Sequence, residues 1–168
     1  MPKIIENLEQ KLIEEARRQI EESGYGAMTI RSVAKACGVG VGTVYNYFPS
    51  KDALVASFML RDWQKCVEAI RETAREASTP RPVALCIYQH LNQFIARHER
   101  LFRDEAAAAA SANSLSRYHG LLRNQLAEPF AGFCEDAFAR DFIAEALLIW
   151  TVAGKPFDEI YRLIEKLF

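Results

Sequence analysis

Thr43, Tyr45, Asn46 and Tyr47 place hydroxyl and amide groups at four of five consecutive positions, with Thr29, Arg31 and Lys51 close by in sequence. This set holds no nucleophile paired with a base. It is a collection of neutral donors and acceptors beside cations, the chemistry that meets base edges and phosphate oxygens. The histidines offer no competing reading. His90, His98 and His119 lack an HExxH or comparable spacing, and no GxSxG motif occurs. The glycines of Gly38-x-Gly40-x-Gly42 follow a helical pattern rather than a strand, so they do not form a phosphate-cradling loop. No enzymatic activity, cofactor or metal is therefore expected.

These donors need a helix to present them and a second helix to hold it. In TIRSVAKACGVGVGTVYNYFPSK, Thr29 is placed to cap a short helix whose Val33 and Cys37 share a face. Gly38 stands where the chain must reverse through a left-handed conformation. A second helix, Val41 to Tyr47, turns Val44 inward and Gly42, Thr43, Tyr45 and Asn46 elsewhere. Ala34, four residues before Gly38, leaves room for the helices to cross closely. Small apolar residues (Val33, Cys37, Val39, Val41, Val44) then fix their angle, as a helix-turn-helix requires.

The run GVGVGTVYNYFPSKDAL, preceded by TIRSVAKAC and by an amphipathic helix ending in ESGYGAMT, resembles the DNA-binding domain of the tetracycline-repressor (TetR) family of transcriptional regulators. The resemblance covers residues 8 to 58. It implies that Thr29, Tyr47 and Lys51 hold phosphates, while Arg31, Gly42, Thr43, Tyr45 and Asn46 meet bases or the adjoining backbone. Gly40 and Gly42 leave the first turn of the second helix poor in donors, so specificity leans on Arg31, Thr43 and Asn46. It further implies a homodimer, a palindromic operator and half-sites about 34–36 Å apart.

Composition is that of an ordinary globular chain: 168 residues, half of them hydrophobic, with a formal charge of -1. Such a balance excludes indiscriminate coating of nucleic acid, which needs a strongly basic surface, but not a reader touching a few phosphates. Positive charge must be local, with Arg17, Arg18, Arg31, Lys35 and Lys51 as candidates. Cys37, Cys66, Cys86 and Cys134 are scattered, which supports neither a zinc site nor a disulfide framework. Lys3, Glu6, Glu9 and Lys11 interrupt any signal-peptide core, and the apolar stretch Ala146 to Gly154 is too short for a bilayer span. A cytoplasmic protein without a membrane partner is expected.

The whole chain is expected to be all-α, with a three-helix head over residues 1–50 and a helical body over 51–168. Ile4 to Ser23 forms the first helix, striped by Ile5, Leu8, Leu12, Ile13, Ala16 and Ile20. Ser50 caps a long helix reaching Ala77, with Leu54, Phe58, Leu60, Trp63, Val67 and Ile70 inward. Pro80 and Pro82 separate it from a helix over Pro82 to Glu99; a short helix then leads into the alanine run Ala106–Ala110. A helix runs from Leu115 to about Phe133 and is kinked or ended near Pro129 and Gly132. The final pair, Ala137–Ala153 and Phe157–Phe168, is too apolar for a monomer of this size and suits a two-fold four-helix interface. The family resemblance also implies a small-molecule cavity in the body. Trp63, Tyr88, His90, Phe94, Tyr118, His119 and Trp150 are the candidates to line it. The alternative is a helical dimerisation or protein-interaction module that has lost operator binding.

Overall fold

A computed structural model describes residues 7–104 and 119–168. Every regular element among these residues is helical. The helices are α1 (Leu8–Ser23), α2 (Ile30–Ala36), α3 (Val41–Tyr47), α4 (Lys51–Glu76), α5 (Pro80–Arg97) and α6 (Glu99–Arg103). The described part of α7 covers 119–127, followed by α8 (Ala137–Val152) and α9 (Phe157–Ile164). The chain divides into two compact units. One holds described residues 7–61 and 98–104, the other 62–97 and 119–168.

In the first unit, α1 buries Leu8, Leu12, Ile13, Ala16 and Ile20, a spacing that places all five on one side of a 3.6-residue helix. They join Val33, Ala34, Val44, Leu54 and Phe58 in a single core. Leu101 of α6 closes onto the same core, and His98 stacks on Phe58 with ring centroids 5.8 Å apart.

In the second unit, Trp63, Val67 and Ile70 of α4 pack with Ile87 and Leu91 of α5, Ile143 and Leu147 of α8, and Ile160 and Ile164 of α9. Asp136 caps α8, its carboxylate accepting from the Phe138 N–H at 2.9 Å. Gly154 (φ 74°) ends the same helix, with its N–H bonded to the Thr151 carbonyl and the Lys155 N–H to that of Trp150. That pairing is a Schellman motif, which only a residue tolerant of positive φ closes without strain.

Several expectations move. Leu60 is exposed rather than inward, because it lies about 160° around α4 from Phe58 at 100° per residue; Val55 and Cys66 are buried instead. Helix α5 starts at Pro80, not Pro82, since proline costs nothing in a first turn whose N–H groups are unpaired anyway. The break expected near Pro129 is present: helix α7 gives way to a 3-10 turn at Glu128–Phe130, where the proline ring cannot continue an α-helical ladder. The expected Ile5 contact, the alanine run and Tyr118 lie outside the described residues.

Candidate nucleic-acid interface

Thr29 is extended (φ -133°, ψ 154°) and its hydroxyl oxygen accepts from the Ser32 N–H at 3.0 Å. Ser32 returns the bond, its Oγ accepting from the Thr29 N–H at 3.0 Å. This reciprocal cap secures the start of α2 and leaves the Thr29 hydroxyl proton free to be donated outward. At the other end Gly38 (φ 69°) donates to the Lys35 carbonyl at 3.2 Å, and Val39 to that of Ala34 at 3.0 Å. Both Schellman bonds are therefore made within three residues of α3, and they set the angle at which the chain enters it. Ala34 is fully buried at this crossing, as its small side chain predicts.

Helix α3 has one fully buried residue, Val44. On a helical wheel the positions opposite Val44 are Gly42 and Asn46, one turn apart, with Thr43 and Tyr45 on their flanks. Gly42, Tyr45, Asn46 and Tyr47 are exposed and Thr43 is half-buried. A Cβ built on Gly42 meets nothing within 4 Å, so nothing inside the protein calls for glycine there. Phe48 is buried behind the helix, and its N–H bonds to the Val44 carbonyl at 2.9 Å. Arg31 and Lys35 are exposed on α2. Arg18, by contrast, is held by Glu15 at 2.7 Å and Glu22 at 2.6 Å, and Arg17 lies over the Phe58 ring at 5.2 Å.

Lys51 opens α4 after Ser50, whose hydroxyl accepts from the Ala53 N–H at 3.0 Å. Its ammonium donates to the Tyr25 carbonyl at 2.5 Å and stands 3.8 Å from the centre of the Tyr25 ring. The Tyr25 hydroxyl in turn donates to the Asp52 carboxylate. Burial, and next the bond to Asp52, push the Tyr25 hydroxyl well above its usual pKa. Burial lowers that of Lys51 against the opposing pull of Asp52 and Asp104. The three residues clasp the α1–α2 connection to the start of α4. The sequence placed Lys51 and Asp52 at that helix start but gave no sign that Tyr25 was their partner, because the contact spans 26 and 27 residues.

The second unit brings only part of the expected cavity lining together. Trp63 meets Phe94 edge-on at 5.7 Å and donates to Gln125 Oε1 at 2.7 Å. Tyr88 packs on Phe157 and donates to the Lys155 carbonyl at 3.2 Å. His90 is half-buried on α5, His119 bonds Glu145, and Trp150 stands on the exposed side of α8. No cluster of three or more metal-ligating side chains occurs among the described residues, and no described helix is long and apolar enough to cross a membrane.

Two short helices locked by a glycine turn, the second presenting polar side chains outward, define a helix-turn-helix protein. Residues 12–58 match the model for bacterial regulatory proteins of the tetR family. The chain is 29% identical over 62 residues to the transcriptional regulator UidR of Escherichia coli K12, covering 37% of this chain and 32% of that protein. It is 34% identical over 79 residues to the repressor KstR of Mycolicibacterium smegmatis, covering 47% of this chain and 35% of that one. The matched stretch thus spans about a third of these curated relatives. The fold extends further. Thermus thermophilus FadR, a TetR-family repressor solved with lauroyl-CoA, aligns with a TM-score of 0.63 at 20% identity over 95% of this chain and 92% of its own.

Proposed function

We propose that the chain is a homodimeric transcriptional regulator, a repressor, that binds a palindromic operator in double-stranded DNA and releases or engages it in response to a small molecule. The observation that carries this reading is the outer edge of α3, where Gly42 and Asn46 are flanked by Thr43 and Tyr45 on a helix fixed by its neighbours. Arg31, Gly42, Thr43, Tyr45 and Asn46 meet bases or the adjoining backbone. Thr29, Tyr47 and Lys51 hold phosphates, with the Tyr25 carbonyl aiming the Lys51 ammonium. Residues 1–50 act as the DNA-binding head and 51–168 as the effector-binding and dimerising body.

The final two described helices support the dimer. Phe138 is 77% and Leu163 65% exposed, and Phe142, Ile149, Trp150 and Val152 are exposed beside them on α8. Together these six side chains present on the order of 600 Å² of surface, near the ~800 Å² that one partner gives to a standard interface. The edge-to-face pair Trp63–Phe94 with Gln125 is the part of the body that offers an aromatic and polar lining. Acyl-CoA thioesters are the first effectors to test, since the Thermus thermophilus neighbour was solved with one.

The test is selection of bound fragments from a random double-stranded DNA pool, repeated with Tyr45→Ala. The expected outcome is a palindrome enriched by the wild type and lost in the variant. No enrichment from a folded dimer at low salt refutes operator binding and leaves an interaction module.

A further inference from the structure

Tyr25 holds a positive group at one end and a negative group at the other. Its main-chain carbonyl accepts from the Lys51 ammonium at 2.5 Å, and its ring faces that ammonium with 3.8 Å from nitrogen to ring centre. Its hydroxyl donates to the Asp52 carboxylate. Tyr25 is buried and Asp52 is exposed, so a residue of the core reaches out to hold a side chain at the surface. A buried phenol needs an acceptor, and a carboxylate in the first turn of α4 suits the positive end of that helix. Those two needs account for a bond. They do not require that the acceptor be the neighbour of Lys51.

An ammonium carries three N–H groups and binds anionic acceptors most strongly. One N–H of Lys51 goes to the Tyr25 carbonyl and one side of the group is covered by the ring, which leaves it able to donate again, outward. The carboxylate best placed to take that donor is Asp52. Successive residues of a helix do not face each other. Here, though, the Lys51 side chain folds back over the Tyr25 ring while Asp52 meets the hydroxyl of the same ring, so both charges sit on one phenol. Burial works against the positive charge of Lys51, and Asp52 and then Asp104, the residue after α6, pull the other way. A carboxylate bonded to the ammonium would close it to phosphate, because the two anions compete for one donor and repel each other.

Resting on the reading of Lys51 as a phosphate contact, we propose that Tyr25 is a positioning residue for DNA binding: its hydroxyl holds the Asp52 carboxylate off the Lys51 ammonium, so that the ammonium stays open to a DNA phosphate. The carbonyl and ring place the cation, and the hydroxyl occupies its nearest rival. Without the hydroxyl, Asp52 turns to Lys51 and the two form an ion pair within the protein. Lys51 then makes no phosphate contact, and the counterion which that contact releases stays on the DNA.

Fluorescence anisotropy of the full chain on a labelled mixed-sequence DNA duplex, repeated across about 50–200 mM salt, tests this. Phosphate contacts carry no sequence information, so the operator need not be known. The variants are Tyr25→Phe, which keeps the ring and the carbonyl, Lys51→Ala, and the double variant Tyr25→Phe/Asp52→Asn, each checked by circular dichroism and urea unfolding. Tyr25→Phe is expected to lose the salt dependence of one contact, a slope smaller by about 0.9 for each protomer bound, or roughly 3–4-fold in affinity over a fourfold rise in salt. Lys51→Ala is expected to lose the same amount. The double variant is expected to recover the wild-type slope although the Tyr25 hydrogen bond is still missing and its stability stays lowered. A merely structural role for Tyr25 would leave slope and stability lowered together. Tyr25→Phe with a wild-type slope, or a double variant whose slope stays low, overturns the proposal and leaves the Lys51 contact standing. Lys51→Ala with a wild-type slope takes Lys51 off the phosphates, and a wild-type chain that ignores the duplex at low salt refutes DNA binding; either result overturns the proposal together with the reading it rests on.

Discussion

Gly42→Ala separates what α3 needs for folding from what it needs for binding. The added methyl meets no protein atom within 4 Å, and Gly42 is not among the glycines with positive φ. Alanine should therefore stabilise the helix, by about 0.5–1 kcal/mol, because it loses less backbone freedom on folding. For a chain of this size that raises Tm by roughly 1–4 °C. On DNA the sign reverses. Gly42 lies on the exposed line of α3 together with Asn46, where the proposed docking brings backbone and base edge most closely together. A methyl there pushes the helix outward and lengthens the bonds of its neighbours, so affinity for the selected operator should fall at least about tenfold, or 1.4 kcal/mol. A thermal melt and fluorescence anisotropy on the same preparation read both effects. Higher Tm with unchanged operator affinity would refute the docking of α3 through its Gly42–Asn46 edge.

Thr29→Ala removes one half of the reciprocal cap with Ser32 and should cost about 1 kcal/mol in urea unfolding; an unchanged midpoint would mean that water replaces the cap. Lys51→Ala should weaken binding to all DNA sequences alike and lower the slope of log affinity against log salt by about 1. An unchanged slope with weakened binding would show that Lys51 acts through its hold on Tyr25 rather than on a phosphate. Phe142→Glu and Leu163→Glu each put a charge into the exposed apolar surface of the last two helices and should give folded monomers by sedimentation. Dimers of unaltered Kd from both variants would move the interface elsewhere.

The head was legible because its geometry is dictated locally. Thr29, Gly38 and Ser50 each act within four residues of their own positions, so their roles follow from sequence neighbours alone. The same holds for the buried stripe of α1. Leu60 escaped because its apolar character outweighed its position: at 100° per residue it lies about 160° from Phe58, off the stripe that Leu54 and Phe58 define. Trp150 looked like lining and is exposed, because a helix that is apolar all round gives no periodic signal of which face turns inward. The Tyr25 clasp and the His119–Glu145 pair join residues 26 or 27 positions apart through side chains that are individually unremarkable in composition, so only the fold brings them together.

Helix α3 could not hold its place by itself. It has seven residues, one of them fully buried, and no side-chain cap at Gly40. A helix that short is unstable in water, so its stability comes from tertiary contacts. Those contacts come from the buried Val44 and the partly buried Val41, with the Gly38 turn before the helix and the buried Phe48 after it, away from its exposed edge. The residues proposed to read bases on α3, Gly42, Tyr45 and Asn46, therefore contribute little to folding, whereas Thr29 and Lys51, proposed to hold phosphates, also serve the cap and the clasp. Such a division lets the recognition edge change sequence without unfolding the head. It also means that a substitution at Tyr45 or Asn46 that abolishes binding in a folded protein reports on recognition rather than on stability.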